Sequence, residues 1–123
     1  MSTILNRKQN PRIAITLFIA FFTQASVTIA DVRLPGFFGD HMVLQQGKEI
    51  RVWGWADEGE EIEVTLGEHS AKTSANRQGE WTLSLPARQA TDVPQSLKVR
   101  GQNELDIKDI LIGEVWLCSG QSN

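Results

Sequence analysis

The residues best suited by type and spacing to do chemistry crowd into one short stretch, Cys118-Ser119-Gly120-Gln121-Ser122. A thiol and two hydroxyls within five positions are three candidate nucleophiles. The run before them, Val115-Trp116-Leu117-Cys118, is apolar at successive positions, the pattern of a parallel strand covered on both faces. A serine just past the carboxyl end of such a strand sits where open α/β sheets bind ligands. A sharp strand-to-helix turn there pushes the hydroxyl outward. It also aims backbone N–H groups and a helix N-terminus at a developing oxyanion. Gly120 gives the backbone room for that turn, and Gly120 and Gln121 are the oxyanion-site candidates. Ser122 is the nucleophile candidate, but it needs a base within reach, itself oriented by a carboxylate. By spacing alone, the same residues also fit an ordinary turn. Cys118 is expected to be a buried, inert thiol, since no cation nearby would lower its pKa. Ser119 is expected to bond locally to the backbone.

The histidines are His41 and His69. His41 lies in a Gly-Asp-His-Met turn and reads as a loop residue rather than a base, because a base must reach its nucleophile. His69 follows an alternating strand at a hairpin. Neither has a second ligand at metal-binding spacing, so no metal is expected, and no cofactor is implied. Asp40, Asp57 and Asp106 read as turn or solvent-face residues. Glu58, Glu60, Glu61 and Glu63 read as a solvated acidic edge rather than a glycosidase carboxylate pair. Trp53 and Trp55 lie two apart on one strand face. They either stack on a pyranose ring as a glycan contact, or cover one side of a sandwich or an interface with another domain.

The elements that position these groups are short strands. Glu61–Leu66 alternates with Ile62, Val64 and Leu66 on one face. Ile50 and Val52 alternate with Arg51 and Trp53. Trp81, Leu83 and Leu85 alternate with Thr82 and Ser84, and Pro86 ends the run. Leu97 with Val99, and Leu105 with Ile107, extend the pattern. Turns are expected at Ala56–Gly59, Asn76–Gly79 and Gly101–Asn103. Period-two strands separated by turns predict an antiparallel, jelly-roll-like β-sandwich over residues 31–110. The alternation breaks at Ile110-Leu111-Ile112-Gly113. A domain boundary is therefore expected near residues 108–113, with the first strand of an α/β domain over residues 111–123. No amphipathic helix of useful length is expected in residues 31–123.

Residues 1–30 differ from the rest. They hold no Asp or Glu, carry Arg7, Lys8 and Arg12, and continue into the apolar run Ile13 to Phe22 before TQASVTIA. This is the layout of a secretory signal peptide, with cleavage expected after Ala30 in preference to Ala25. The apolar run falls short of the roughly 20 residues that span a bilayer, which disfavours an uncleaved anchor and any stable membrane insertion after cleavage. No cysteine for lipid attachment lies near the cleavage region. The expected location is secreted or periplasmic. Residues 31–123 carry nine Lys and Arg against 15 Asp and Glu, a net charge of −6, which argues against nucleic acid as a partner. With one cysteine, the chain has no intrachain disulfide, so stability falls to the apolar core.

LPGFFGDHMVLQQ (Leu34–Gln46), VWGWADEGEEIEVTL (Val52–Leu66), GEW (Gly79–Trp81) and GEVWLCSGQSN (Gly113–Asn123) follow one another in the order and spacing of a known family. In them the chain resembles the sialate O-acetylesterases, secreted carbohydrate esterases with an SGNH-type hydrolase domain. The resemblance implies a β-sandwich ahead of the catalytic domain and Ser122 as the nucleophile. It implies an O-acetylated sialic acid or another acetylated glycan as substrate, and an acetyl-enzyme intermediate. It also implies a catalytic His and Asp far downstream of Asn123. The chain is therefore expected to be the amino-terminal part of a longer esterase. Alone it is expected to be inactive, with Ser122 one residue from a terminal carboxylate. The alternative is a secreted, non-catalytic module that binds glycans or supports another domain.

Overall fold

The computed structural model describes residues 30–120. The segment 1–29, on which nearly all of the signal-peptide expectation rests, and residues 121–123 lie outside them. The described part is all-β, with seven strands and no helix. In chain order they are β1 (Val43–Gln45), β2 (Ile50–Trp55), β3 (Glu61–Leu66), β4 (His69–Ser74), β5 (Glu80–Leu85), β6 (Thr91–Arg100) and β7 (Glu104–Gly113). A curled five-stranded sheet in the order β1-β7-β6-β3-β4 is accompanied by a two-stranded sheet, β2-β5.

The period-two sequences make the core. Ile50, Val52, Trp81, Leu83 and Leu85 face inward from the small sheet. Ile62, Val64, Leu66, Leu97, Val99, Ile107, Ile110 and Ile112 come from the large one, and Val32 joins them ahead of β1. Ile62, Val64, Leu97 and Val99 are wholly buried, each contributing about 1.5–3 kcal/mol of transfer free energy. The turns follow their residues. Gly59 and Gly79 take positive φ of 75° and 73°, a region glycine enters without a Cβ clash. The Asn76 carboxamide oxygen accepts the N–H groups of Gln78 and Glu80 at 3.0 and 2.9 Å, closing the β4–β5 turn.

Three features depart from the sequence expectations. First, the large sheet is mixed, not purely antiparallel. β1 runs parallel to β7, with Val43, Leu44 and Gln45 opposite Leu111, Ile112 and Gly113. Second, the phase break near residue 110 lies within one continuous strand. Lys108 and Asp109 are both exposed, and Asp109 has a φ of 57°. The inward positions change there from Leu105 and Ile107 to Ile110 and Ile112. An irregularity that adds one residue flips every later side chain to the other face. β7 therefore continues to Gly113, within the region read as a boundary. Third, the strand expected at Val115–Cys118 is absent. Residues 114–120 have no regular structure, and Val115, Trp116 and Leu117 are 51%, 83% and 96% exposed. No sheet among the described residues lies beside this run to pair its backbone or cover its faces. The buried-thiol expectation fails with it, since Cys118 is exposed.

Candidate functional site

The segment leading to the candidate nucleophile block leaves β7 at Gly113 and is held at once by the end of β1. The Gln46 backbone N–H donates to the Gly113 carbonyl at 2.8 Å. The carboxamides of Gln45 and Gln46 then donate to the two oxygens of Glu114 at 3.0 and 2.6 Å. The Gln45 carboxamide oxygen in turn accepts the Val115 N–H at 3.0 Å. These bonds hold the Glu114 carboxyl below its ordinary pKa, the Gln45 contact contributing most, then that of Gln46, with Lys48 adding a weaker attraction. A short parallel strand thus fixes where the chain departs toward Cys118, Ser119 and Gly120. Sequence reasoning did not assign Gln45, Gln46 or Glu114 a role. Two carboxamides side by side give no pattern that points to a carboxylate 68 residues away.

Of the candidate catalytic residues, Gly120 is described and exposed, whereas Gln121 and Ser122 lie outside the described residues. Ser119 is exposed, and its hydroxyl has no hydrogen bond among the described residues, where a local one was expected. His41 is a loop residue with a φ of 67°. Its N–H donates to the Lys108 carbonyl at 3.1 Å, and its Nδ1 lies 2.5 Å from the Asp109 carboxylate. Asp40 completes the fastening by accepting the Lys108 N–H at 2.7 Å. These three side chains tie the loop before β1 to the irregular point of β7. His69 begins the exposed edge strand β4. Among the described residues no three His, Cys, Asp or Glu side chains converge as metal ligands.

One acidic residue behaves differently from its neighbours. Glu60 was expected on the solvated edge with Glu58, Glu61 and Glu63, but it is only 9% exposed. Its carboxylate accepts the Asp57 N–H at 3.0 Å and the Gln102 N–H at 2.6 Å. It therefore ties the β2–β3 turn to the β6–β7 turn. Gly101 is glycine because a Cβ there would lie 2.3 Å from both Glu60 Oε1 and Val32 Cγ2.

The outer face of the two-stranded sheet carries the tryptophan pair. Alternation turns Ile50, Val52 and Gly54 inward and leaves Arg51, Trp53 and Trp55 outside, opposite Ser84, Thr82 and Glu80 of β5. Trp53 packs against Phe37 and Phe38, with ring centroids 5.3 Å away in each case. An open groove of about 590 Å³ runs over this face, lined by Arg51, Trp53, Trp55, Asn76, Glu80 and Thr82. Buried Trp81 contributes to its lining, and the Trp81 indole N–H has no partner among the described residues. Both tryptophans are more than a third exposed, so this face is free among the described residues, for a glycan or for another domain. Arg33 meets Trp55 in a two-bond bridge, its N–H reaching the Trp55 carbonyl at 2.8 Å and its carbonyl accepting the Trp55 N–H at 2.9 Å.

No family model matches the chain, and no curated protein matches it. Among solved structures it is similar to a novel carbohydrate acetylesterase from Xanthomonas citri. The two are 37% identical with a TM-score of 0.72 over 76% of this chain. The chain spans 22% of the length of that protein.

Proposed function

We propose that this chain is part of an exported carbohydrate O-acetylesterase, in which the β-sandwich holds the start of an SGNH-type catalytic domain. The likeness to the Xanthomonas citri acetylesterase, in both sequence and fold, carries this reading. Ser122 is its nucleophile. The Ser122 Oγ attacks the carbonyl carbon of an acetyl ester, and its proton passes to a histidine base. Backbone N–H groups around Gly120 and Gln121 stabilise the tetrahedral oxyanion. Collapse releases the sugar hydroxyl and leaves an acetyl-serine, which water hydrolyses with the same base. The base and its aspartate are taken to come from the remainder of a larger enzyme, since this chain spans 22% of the acetylesterase it resembles, while His41 serves to fasten its loop to Lys108 and Asp109. The brace of Gln45 and Gln46 on Glu114 supports the reading, because it fixes the approach to the nucleophile block against a rigid sheet. O-acetylated sialic acid is the proposed substrate, with other acetylated glycans next. Export by the amino-terminal segment would place the protein in the periplasm or outside the cell.

The test uses protein made from the complete reading frame that carries this chain. Acetate release is measured from O-acetylated sialic acid and from acetylated xylan, with wild type and Ser122→Ala. Wild type is expected to release acetate, and Ser122→Ala to lose roughly 10³-fold or more of the rate. An unchanged rate in Ser122→Ala refutes the assignment, and a faster reaction on xylan moves the substrate away from sialic acid. A supporting, non-catalytic module is the second reading. It is favoured by the exposed Val115-Trp116-Leu117 run, which leaves the brace with its apolar side chains uncovered among the described residues.

A further inference from the structure

We propose that the outer face of the β2–β5 sheet is a carbohydrate-binding subsite for neutral pyranose units, separate from the nucleophile block and independent of Ser122. Two indoles project from alternate positions of one strand, roughly 6.6 Å apart along it, with Gly54 between them turned inward. A flat aromatic surface exposed to water matches the apolar C–H face of a pyranose ring, whose hydroxyls lie around its rim. Rim partners are present in both chemical senses. Trp55 stands opposite Glu80, Trp53 opposite Thr82, and Arg51 one alternation further along the same face. Among the described residues the Arg51 and Glu80 side chains make no hydrogen bond and no ion pair, so donors and acceptors are free for a polyol. The Asn76 carboxamide borders the same groove.

The volume, about 590 Å³, lies within the range of small-molecule sites, roughly 300–1,000 Å³. The charges select the class of sugar. One cation and one carboxylate at opposite ends cancel at a distance, so the groove offers no net field to an anion. A sugar carboxylate beside Glu80 would meet like charge. Neutral hydroxyls accept from Arg51 and donate to Glu80 without that conflict. The face is stiff, because Trp53 is wedged against Phe37 and Phe38 and Trp55 is pinned through its backbone to Arg33, so little order is lost on binding.

The experiment is a titration of the full-length protein and its Ser122→Ala form with xylohexaose, mannohexaose and sialyllactose, none of them O-acetylated. Tryptophan fluorescence and calorimetry are the readouts. At least one neutral hexaose is expected to bind with a Kd on the order of 1 mM or tighter, equally in both forms. Trp55→Ala is expected to weaken it about tenfold or more, and Glu80→Gln, an exposed substitution that leaves the fold intact, several-fold. In a Trp116→Phe background, which removes the exposed indole outside this face, acrylamide is expected to quench the Trp53 and Trp55 indoles of the unliganded protein. Absence of binding by both hexaoses overturns the proposal. So does binding undiminished in Trp55→Ala and Glu80→Gln, or sialyllactose binding as tightly as the neutral sugars. Protection of the indoles from acrylamide also overturns it, since the face is then covered by protein. Acetylesterase activity lost in Ser122→Ala alongside unchanged hexaose binding separates this site from the catalytic reading.

Discussion

Gly54→Ala is the smallest change that strikes both the fold and the aromatic face. Gly54 does not occupy a left-handed conformation, so the penalty is steric rather than conformational. A Cβ at this position would lie 2.0 Å from the Arg33 carbonyl oxygen and 3.0 Å from Trp81 Cζ2. A carbon and a carbonyl oxygen without a bond between them need more than an ångström beyond 2.0 Å, so Arg33 must retreat. Its retreat breaks the two hydrogen bonds with Trp55, at 2.8 and 2.9 Å. Each is worth about 1 kcal/mol net. Overpacking against Trp81 adds about 1–3 kcal/mol. The reduced freedom of the unfolded alanine chain returns about 0.4–1 kcal/mol. The balance is a loss of roughly 2–4 kcal/mol, which in a domain of this size lowers Tm on the order of 10–30 °C. Thermal unfolding followed by circular dichroism reads the Tm, and near-ultraviolet signals report the flanking indoles. Gly36→Ala is the control, because nothing lies within 4 Å of its added methyl. A Gly54→Ala protein whose Tm stays within about 2 °C of wild type, under 0.5 kcal/mol, would show that Arg33 does not sit against β2 as described.

Two further outcomes follow from buried or charged carboxylates. Glu60→Ala leaves the Asp57 and Gln102 N–H groups without their acceptor and is expected to cost about 2–5 kcal/mol, read as a lowered denaturant midpoint; Glu58→Ala, on the exposed side of the same turn, should stay near wild type. The Glu114 pKa is depressed on folding, so its stabilising effect is full above the unfolded value and is lost as pH falls through the folded one. A side-chain NMR titration should place the Glu114 midpoint below the 4.5 of an unperturbed glutamate, and Gln45→Ala should move it upward more than Gln46→Ala. A midpoint at or above 4.5 would mean that the brace does not form.

Strands with one face in the core were readable from alternation alone. β3 and β5 carry Ile62, Val64 and Leu66, and Trp81, Leu83 and Leu85, at every second position, and their burial follows that pattern. β4 was not, because HSAKTS lies on an exposed edge with little to bury and so has no apolar period. β1 is three residues long, and its parallel partner is a strand 68 positions away, a relation no local window contains. Consecutive apolar residues at Ile110, Leu111 and Ile112 suggested a new domain. A left-handed residue at Asp109 that resets the strand phase gives the same sequence pattern. At the site, the exposure of Trp53 and Trp55 was open between two readings, since alternation assigns a face but not what covers it. The role of Glu60 was hidden because its partners are backbone N–H groups, which every residue has.

The strand order of the large sheet also bears on how the protein is made. Of the seven described strands β7 is the last to leave the ribosome, yet it stands between β6 and β1. Until β7 has emerged, β1 has no neighbour in the sheet and β6 lacks one of its two. Closure of this sheet is thus a long-range event that waits on the synthesis of β7. A nascent chain that has not yet reached β7 would present unpaired edges to chaperones.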